Sequence, residues 1–281
     1  LHHVLQSKQP LTSEHFQYWM AQLLRGVQHL HASGVLHRDL KPGNLLVDEN
    51  CDLRICDFGL SRRVGTTFVH SLAIGSSEDV ATNNDVVPPP LTRQLTNHVV
   101  TLWYRPPELL CECEHYDASI DMWAVGCILA EMLGREPLCT GRDSLDQLRL
   151  IIHVIGLPTD LDLVSLERYH PNAWTLEFID SIPAPANGNL AWVTRFPTAE
   201  PDALDLLDKL LVFDPTKRLT AEEARRHGYV EQMAEKLDVK RRDPPAAPSA
   251  MDDGFEMLQV EELRAALAER LQSLRCSVET C

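Results

Sequence analysis

Residues 13–33 have the hydrophobic spacing of an amphipathic helix. Apolar side chains recur every three or four positions, at Phe16, Met20, Leu23, Val27 and Leu30. In a helix with 3.6 residues per turn these positions share one face, which we expect to lie against a core. Thr12 or Ser13 can cap the start of this helix, and Gly34 can end it.

The pattern along the rest of the chain predicts a mainly helical domain with little sheet. Residues 118–133 are apolar nearly all round, which indicates a central buried helix. Two short apolar runs, 44–48 and 53–58, are joined by the turn-rich "DENC" and predict a β-hairpin. Further helices are predicted at 144–156, 203–213, 220–227 (opened by a T-x-x-E capping box from Thr220 to Glu223) and 260–274, and a packed loop at 171–200.

Two stretches lack a regular hydrophobic pattern. Residues 61–98 are rich in Gly, Ser, Thr and Asn and include Pro88-Pro89-Pro90, and a loop longer than about 12–15 residues is usually functional or disordered. Residues 240–254 have the composition of a linker. We therefore expect one domain at 1–235, followed by a linker and a helical extension at 236–281.

Composition excludes few classes, but the charge is informative. The 281 residues are 44% hydrophobic and 24% charged, with a formal net charge of −15 and a pI near 5.2. That balance argues against bulk binding to nucleic acid or to an anionic membrane. It suits basic peptide partners, although a solvated acidic surface explains it equally simply.

The eight cysteines form no C-x-x-C pair, and no apolar run approaches the roughly 18 residues of a membrane span. No secretory signal pattern opens the chain. Reduced thiols in a cytoplasmic or nuclear protein are therefore the expectation.

The stretches "VLHRDLKPGNLLVD" and "ICDFGLSR" contain the residues with the clearest chemistry. Because the predicted hairpin folds its two ends together, Asp39, Asn44 and Asp57 can converge on one point. An amide oxygen and a carboxylate suit Mg²⁺, which also takes phosphate ligands. A second carboxylate can accept a proton from a hydroxyl, and Lys41 can neutralise charge on a transferring phosphoryl group.

These stretches resemble the eukaryotic protein kinases. The H-R-D-L-x-x-x-N motif stands at His37–Asn44 and D-F-G at Asp57–Gly59. The Lys-Pro at 41–42 is similar to serine/threonine kinases rather than tyrosine kinases. The resemblance implies a protein kinase-like fold, of which this chain is the mainly α C-terminal lobe with a small β-hairpin.

The resemblance also implies a role for each residue of the site. Asp39 orients the acceptor hydroxyl and takes its proton, while Asp57 and Asn44 hold Mg²⁺. Lys41 contacts the γ-phosphate of ATP, and Thr101 hydrogen-bonds Asp39 and Lys41. ATP and Mg²⁺ are therefore the expected cofactors.

The rest of the large lobe resembles the family in order. Pro106-Pro107-Glu108 stands where the family has A-P-E, so that the activation segment runs from 57 to 108 with a long insert at 64–95. The resemblance implies that Glu108 pairs with Arg218 and that Asp121 anchors the backbone of the catalytic loop.

Within the family, two groups resemble different parts of the chain. "SIDMWAVGCILAEML" and "ALDLLDKLLVFDPTKRL" are similar to a mitogen-activated protein kinase, whereas "VVTLWYR" is similar to a cyclin-dependent kinase. Both groups mostly phosphorylate Ser or Thr followed by Pro, so we expect protein substrates with Ser/Thr-Pro sites. Val99, Val100 and Arg105 would shape that pocket.

Thr96 is the candidate switch residue. A mitogen-activated kinase carries T-x-Y there, but this chain has His98 at the tyrosine position and Leu102 where the family has an arginine for the phosphotyrosine. We therefore hypothesise one phosphate, added to Thr96 by an upstream kinase and held by Arg38 and Arg62.

Two expectations concern the surroundings of the site. Cys56, just before D-F-G, is interpreted as a small buried filler rather than a reactive thiol. Glu231, Glu235 and Asp238 could form a docking patch for basic peptides.

The glycine-rich loop and V-A-x-K of a small lobe do not occur in the 281 residues, so we expect a fragment whose N-terminal β lobe is missing. The alternatives are a non-catalytic, kinase-like docking module and a cyclin-dependent-type kinase.

Overall fold

The computed structural model describes residues 1–63, 101–183 and 192–240. Leu1–Asp238 form one compact unit, and Val239–Cys281 are assigned to a second. The predicted linker at 240–254, apart from Lys240, and the predicted helix at 260–274 lie outside the described residues. The helices run at α1 His2–Gln6, α2 Ser13–Ala32, α3 Pro107–Leu110, α4 Ser119–Gly134, α5 Ser144–Ile155, α6 Asp160–Glu167, α7 Ala173–Ser181, α8 Trp192–Arg195, α9 Pro201–Leu210, α10 Ala221–Arg225 and α11 Glu231–Lys240.

The central helix α4 organises the core. Almost every side chain from Ile120 to Met132 is buried, as the absence of a polar stripe in its sequence predicts. The helix α2 packs on it and on β3, and α9 packs on it from another direction. A Cβ added to Gly126 would lie 2.7 Å from Leu211 Cδ2, so glycine permits the close approach of α4 to the segment that follows α9.

Two short antiparallel strand pairs complete the described fold. The strands β2 (Leu45–Val47) and β3 (Leu53–Ile55) pair with Leu46 opposite Arg54, which confirms the predicted hairpin. The second pair joins β1 (Val35–Leu36) to β4 (Arg62–Arg63). The sequence did not indicate this second pair, because two-residue strands show no alternation of apolar and polar positions.

Capping chemistry defines several helix starts. Thr12 and His15 form the capping box of α2, and Thr220 and Glu223 form the predicted box of α10. Each box satisfies backbone N–H groups that have no partner within the first helical turn. The predicted helices at 13–33, 118–133, 144–156 and 203–213 agree with α2, α4, α5 and α9 to within about three residues at each end.

The prediction of a packed loop at 171–200 was wrong. Residues 173–181 and 192–195 are helical, as α7 and α8. Asn172 caps α7 by accepting a hydrogen bond from Trp174 N, although the contact is long at 3.4 Å. Short helices next to prolines carry little periodic signal, and packing of Thr175 and Ile179 into the core stabilises this one. None of the described helices is both long enough and apolar enough to cross a membrane.

Candidate active site

Asp121 near the start of α4 holds the loop that carries the candidate catalytic residues. Its side chain is 1% exposed. Oδ2 accepts a hydrogen bond from His37 N at 2.9 Å, and Oδ1 accepts one from Arg38 N at 2.8 Å. Arg38 adopts a left-handed backbone with φ 71°, a conformation that costs free energy for a non-glycine residue. The two hydrogen bonds from the loop offset that cost.

His31 is a positioning residue that the sequence analysis missed. It lies in the last turn of α2, and its Nε2 is 2.9 Å from Asp121 Oδ2. This contact links α2, α4 and the catalytic loop at one buried carboxylate. The available signal was weak: a histidine six positions before His37, at the end of an amphipathic helix whose neighbour in space could not be predicted.

Asp39, Lys41 and Asn44 form a single hydrogen-bonded cluster. Lys41 Nζ lies 2.7 Å from Asp39 Oδ2. Asn44 Nδ2 donates to Asp39 O at 2.8 Å and to Asp39 Oδ2 at 3.0 Å. The Asp39 and Lys41 side chains remain 13% and 25% exposed. The cluster therefore leaves a carboxylate and a cation partly open to solvent, with the buried amide of Asn44 beside them.

The β2–β3 hairpin brings Asp57 to the same end of the molecule. Cys56 N donates to Asn44 O at 2.9 Å, which extends the strand pairing up to the residue before Asp57. Asp57 itself is left-handed, with φ 63°, and its Oδ1 accepts a long hydrogen bond of 3.4 Å from Gly59 N. His37 supports this arrangement from below, because its Nε2 is 3.1 Å from Cys56 O and its ring lies 5.1 Å from that of Phe58.

The donor set of Asn44 and Asp57 fits a magnesium ion. Both donated hydrogen bonds of Asn44 come from Nδ2, so that its Oδ1 is directed elsewhere and can face a cation. The Asp57 carboxylate is exposed. Among the described residues, no group of three or more His, Cys, Asp or Glu side chains is arranged to hold a metal by itself. An amide and one carboxylate suit Mg²⁺ that takes its remaining ligands from phosphate and water.

A narrow cavity lies between the catalytic loop, the end of the activation segment and α4. Its walls include Arg38, Asp39, Thr101 and Arg105. Thr101 therefore lies on the same side of the loop as Asp39, while its hydrogen bond to Asp39 stays a prediction. Thr96, Val99 and Val100, the other residues expected nearby, lie outside the described residues.

Arg62 lies beside the catalytic loop through the β1–β4 pair. Leu36, two residues before Arg38, is the pairing partner of Arg62. This register brings the backbone of the D-F-G segment alongside the strand that leads into the H-R-D motif. The two candidate phosphate-binding arginines therefore lie in or next to paired strands, Arg62 within β4 and Arg38 two residues after β1.

Glu108 and Arg218 form a fully buried ion pair. Arg218 Nη1 lies 2.6 Å from Glu108 Oε1, and Arg218 Nη2 lies 2.7 Å from Oε2, with both side chains 0% exposed. The guanidinium also donates to the carbonyl oxygens of Val212, Ser119 and Phe213, at 2.8, 3.2 and 3.0 Å. This pair fastens the end of the activation segment to the C-terminal part of the fold.

A second buried carboxylate lies behind the activation segment. Tyr104 Oη donates to Glu131 Oε2 at 2.5 Å. Burial raises the pKa of Glu131 above its ordinary value, although the hydrogen bond from Tyr104 acts in the opposite direction. Burial likewise raises the pKa of the Tyr104 hydroxyl. No sequence motif predicts this pair, because its two residues lie 27 positions apart in the chain.

The cysteines and the acidic patch show little sign of a reactive or strongly charged site. All six cysteines among the described residues are free thiols, and burial raises the pKa of Cys113 and of Cys139 to about 12. Cys56 Sγ donates to Asn44 O at 3.3 Å. In the acidic patch, Asp238 is paired with Arg225 at 2.7 Å, so that its charge is already partly neutralised.

Comparison with known proteins defines the class. Residues 1–230 match the model of the protein kinase domain, and the chain belongs to the protein kinase family. It is 44% identical over 232 residues to mitogen-activated protein kinase 4 of Oryza sativa subsp. japonica, a match covering 82% of this chain and 54% of that protein.

Two further relatives carry the same family name. The chain is 40% identical over 263 residues to mitogen-activated protein kinase 14 of Arabidopsis thaliana, covering 94% of this chain and 64% of the relative. It is 39% identical over 280 residues to mitogen-activated protein kinase MPS1 of Pyricularia oryzae, covering 99% and 60%. The chain thus resembles the mitogen-activated protein kinases and spans between about half and two thirds of their length.

Proposed function

We propose that this protein is a serine/threonine protein kinase that transfers the γ-phosphate of ATP to protein substrates, in a signalling role like that of the mitogen-activated protein kinases. The observation that carries the proposal is the cluster of Asp39, Lys41 and Asn44, held by hydrogen bonds of 2.7–3.0 Å on a loop that Asp121 anchors. Membership of the kinase family and the chemistry of the cluster support the same reaction.

Each side chain has a distinct task in this proposal. The Asp39 carboxylate accepts the proton of the substrate hydroxyl and orients the hydroxyl for attack. Lys41, 2.7 Å from that carboxylate, compensates negative charge on the phosphoryl group as it moves. Asn44 and Asp57 would hold Mg²⁺, which when bound neutralises charge on the phosphates. The hydrogen bonds from the loop to Asp121 hold these groups in fixed positions relative to one another.

An exposed apolar surface next to the cluster suggests where the nucleotide is enclosed. Leu46, Phe58 and Leu60 are 56%, 46% and 39% exposed, and they flank the segment that carries Asn44 and Asp57. We propose that a small lobe with a glycine-rich loop covers this surface, as the resemblance implies. The 281 residues contain neither that loop motif nor the accompanying V-A-x-K motif.

The proposal extends to substrates and control. We propose Ser/Thr-Pro sites as substrates, with Val99, Val100 and Arg105 forming the pocket for proline. We also propose that an upstream kinase phosphorylates Thr96 and that Arg38 and Arg62 bind the phosphate. The position of the two arginines in or next to paired strands supports this pairing.

Docking of basic peptides is proposed at Glu231 and Glu235. Both are exposed on α11, whereas Asp238 is paired with Arg225 and would contribute less. We propose a cytoplasmic or nuclear location, which the free thiols of the described residues support.

The decisive experiment compares Asp39→Ala with the matched control Asp180→Ala in the protein expressed from its complete coding sequence. Phosphate transfer from Mg²⁺-ATP to a Ser-Pro peptide should fall by at least about 10³-fold in Asp39→Ala. The control, an exposed aspartate on α7, should leave the rate unchanged. Thr96→Ala should lower the rate of the activated protein strongly.

The docking-module alternative makes the opposite prediction. If the wild-type protein shows no transfer even with Thr96 phosphorylated, or if Asp39→Ala retains the wild-type rate, the kinase proposal fails. A protein without turnover that still binds basic peptides would then fit the docking module.

A further inference from the structure

The guanidinium of Arg38 rests on an aromatic ring. Its central carbon lies 5.5 Å from the centroid of the Tyr116 ring, within the distance at which a cation is attracted to the face of an aromatic ring. None of the described residues accepts a hydrogen bond from the Arg38 side chain. The cation therefore lies over the ring, while its side-chain N–H groups have no acceptor in the described part of the chain.

Both partners of this contact are fixed at their backbones. Arg38 is left-handed and donates its N–H to Asp121. Tyr116 sits between two anchored neighbours: His115 N donates to Tyr169 O at 3.2 Å, and Asp117 accepts hydrogen bonds from Ser119 N at 2.8 Å and Tyr169 Oη at 2.9 Å. The ring is consequently presented to the guanidinium by a braced turn.

The Tyr116 hydroxyl does not explain why a tyrosine is placed here. It is buried and has no hydrogen-bond partner among the described residues, an arrangement that costs free energy. The ring, rather than the hydroxyl, is thus the part of this side chain with a visible contact to the site.

We propose that Tyr116 is a positioning residue that holds Arg38 as a receptor for a phosphate monoester. A guanidinium that lies over a ring, and that donates none of its side-chain N–H groups to a described residue, can form two parallel hydrogen bonds to phosphate oxygens. Holding the side chain in advance also lowers the ordering cost of binding. Tyr116 itself touches no phosphate. Naming Thr96 as the carrier of that phosphate rests on the proposed function, whereas the ring–guanidinium contact does not.

The test changes the sign of the charge on the face of the ring at position 116 while keeping a six-membered aromatic ring there. The protein from the complete coding sequence is prepared with phosphothreonine at position 96, with Tyr116 retained, as Tyr116→Phe, or as Tyr116→pentafluorophenylalanine. Phe keeps the negative ring face, and the fluorinated ring reverses it. The readout is the rate at which a broad-specificity phosphatase removes the phosphate, because a phosphate bound by Arg38 is protected.

We expect Tyr116→Phe to match the wild type and the fluorinated ring to speed phosphate removal by a factor of about two to five. Arg38→Ala should speed removal more than either. If Arg38→Ala leaves the rate unchanged, the assignment of Arg38 to the Thr96 phosphate in the proposed function is wrong. If Arg38→Ala acts but the fluorinated ring behaves like Phe, the role of Tyr116 is wrong while the switch stands.

A second arm separates free phosphate from the covalent group. The unphosphorylated protein is titrated with inorganic phosphate, and the rise in melting temperature is compared among the same ring variants. Stabilisation that depends on Arg38 and is weaker with the fluorinated ring, without protection of the Thr96 phosphate, would identify free phosphate as the ligand. If the fluorinated ring behaves like Tyr116 in both the phosphatase assay and the phosphate titration, the proposal is overturned. Equal melting temperatures of the ring variants without phosphate show that the fold is intact.

Discussion

The Glu108–Arg218 pair and the Asp39–Lys41–Asn44 cluster both combine a carboxylate with a cation, but they differ in burial and in how fully their hydrogen-bonding groups are paired. Arg218 is fully buried, with its charge paired twice and three carbonyl oxygens accepting its remaining donors. Asp39 and Lys41 are closer to solvent, at 13% and 25% exposed, and share one short contact. A polar network whose members are all satisfied stabilises the fold, whereas one with spare capacity is available to a ligand.

The largest effect on stability should come from breaking the buried pair. Arg218→Met leaves the Glu108 carboxylate and three carbonyl oxygens without their donors, so we expect the free energy of unfolding to fall by about 3–5 kcal/mol. Urea denaturation measures this loss. Arg226→Met, which removes an arginine that is 72% exposed and paired with Glu222, should change it by less than about 0.5 kcal/mol. Equal effects of the two changes would contradict the comparison.

A smaller loss in the free energy of unfolding is expected at Asp121. This residue is buried like the Glu108–Arg218 pair, but it holds the loop that carries the Asp39–Lys41–Asn44 cluster. Asp121→Asn has one acceptor oxygen for two backbone N–H donors, those of His37 and Arg38. One buried donor loses its partner, at a cost of about 1–3 kcal/mol. Phosphate transfer should fall as well, because the catalytic loop loosens. Asp180→Asn serves as the control, and an unfolding free energy within about 0.5 kcal/mol of that control would disprove the anchoring role.

The buried carboxylate of Glu131 should give stability a distinctive dependence on pH. Because burial raises its pKa above the ordinary value of 4.5, the folded state holds this proton more tightly than the unfolded state. Its contribution is therefore fully present below about pH 4.5 and is lost as the pH rises through the raised pKa. Relative to wild type, Glu131→Gln should gain in stability between pH 4.5 and 8. Urea titrations across this range test the sign, and a difference that stays flat with pH would refute it.

Replacement of Lys41 should have the smallest effect on stability but a large effect on activity. Its ion pair with Asp39 is partly exposed, so Lys41→Met should change the free energy of unfolding by less than about 1 kcal/mol. Phosphate transfer should nonetheless fall by on the order of 10²-fold, since a cation near the phosphoryl group is lost. A variant that loses several kcal/mol of stability would show that the cluster is structural and would remove the contrast with Arg218.

Sequence reasoning succeeded where the information is local. The periodic apolar positions of α2, the all-apolar character of α4 and the T-x-x-E box of α10 lie within a few residues of one another, so their helices followed from the pattern. The helices α7 and α8 were not predicted, since their sequences are short and adjoin prolines. They form because the surrounding core accepts their apolar side chains.

The candidate site divides along the same line. The residue types and spacing at Asp39, Lys41, Asn44 and Asp57 were legible in the sequence, because one loop and one hairpin bring them together and their chemistry is that of the side chains themselves. The sequence by itself thus determined the family and the candidates for the reacting groups.

Only the tertiary structure decided what surrounds these groups. The contact of His31 with Asp121 spans 90 residues, and the ring of Tyr116 reaches Arg38 across 78 positions of sequence. Asp238, expected in a docking patch, is paired with Arg225. Contacts of this kind depend on how whole elements pack, and no local pattern of side chains specifies which distant element will lie alongside.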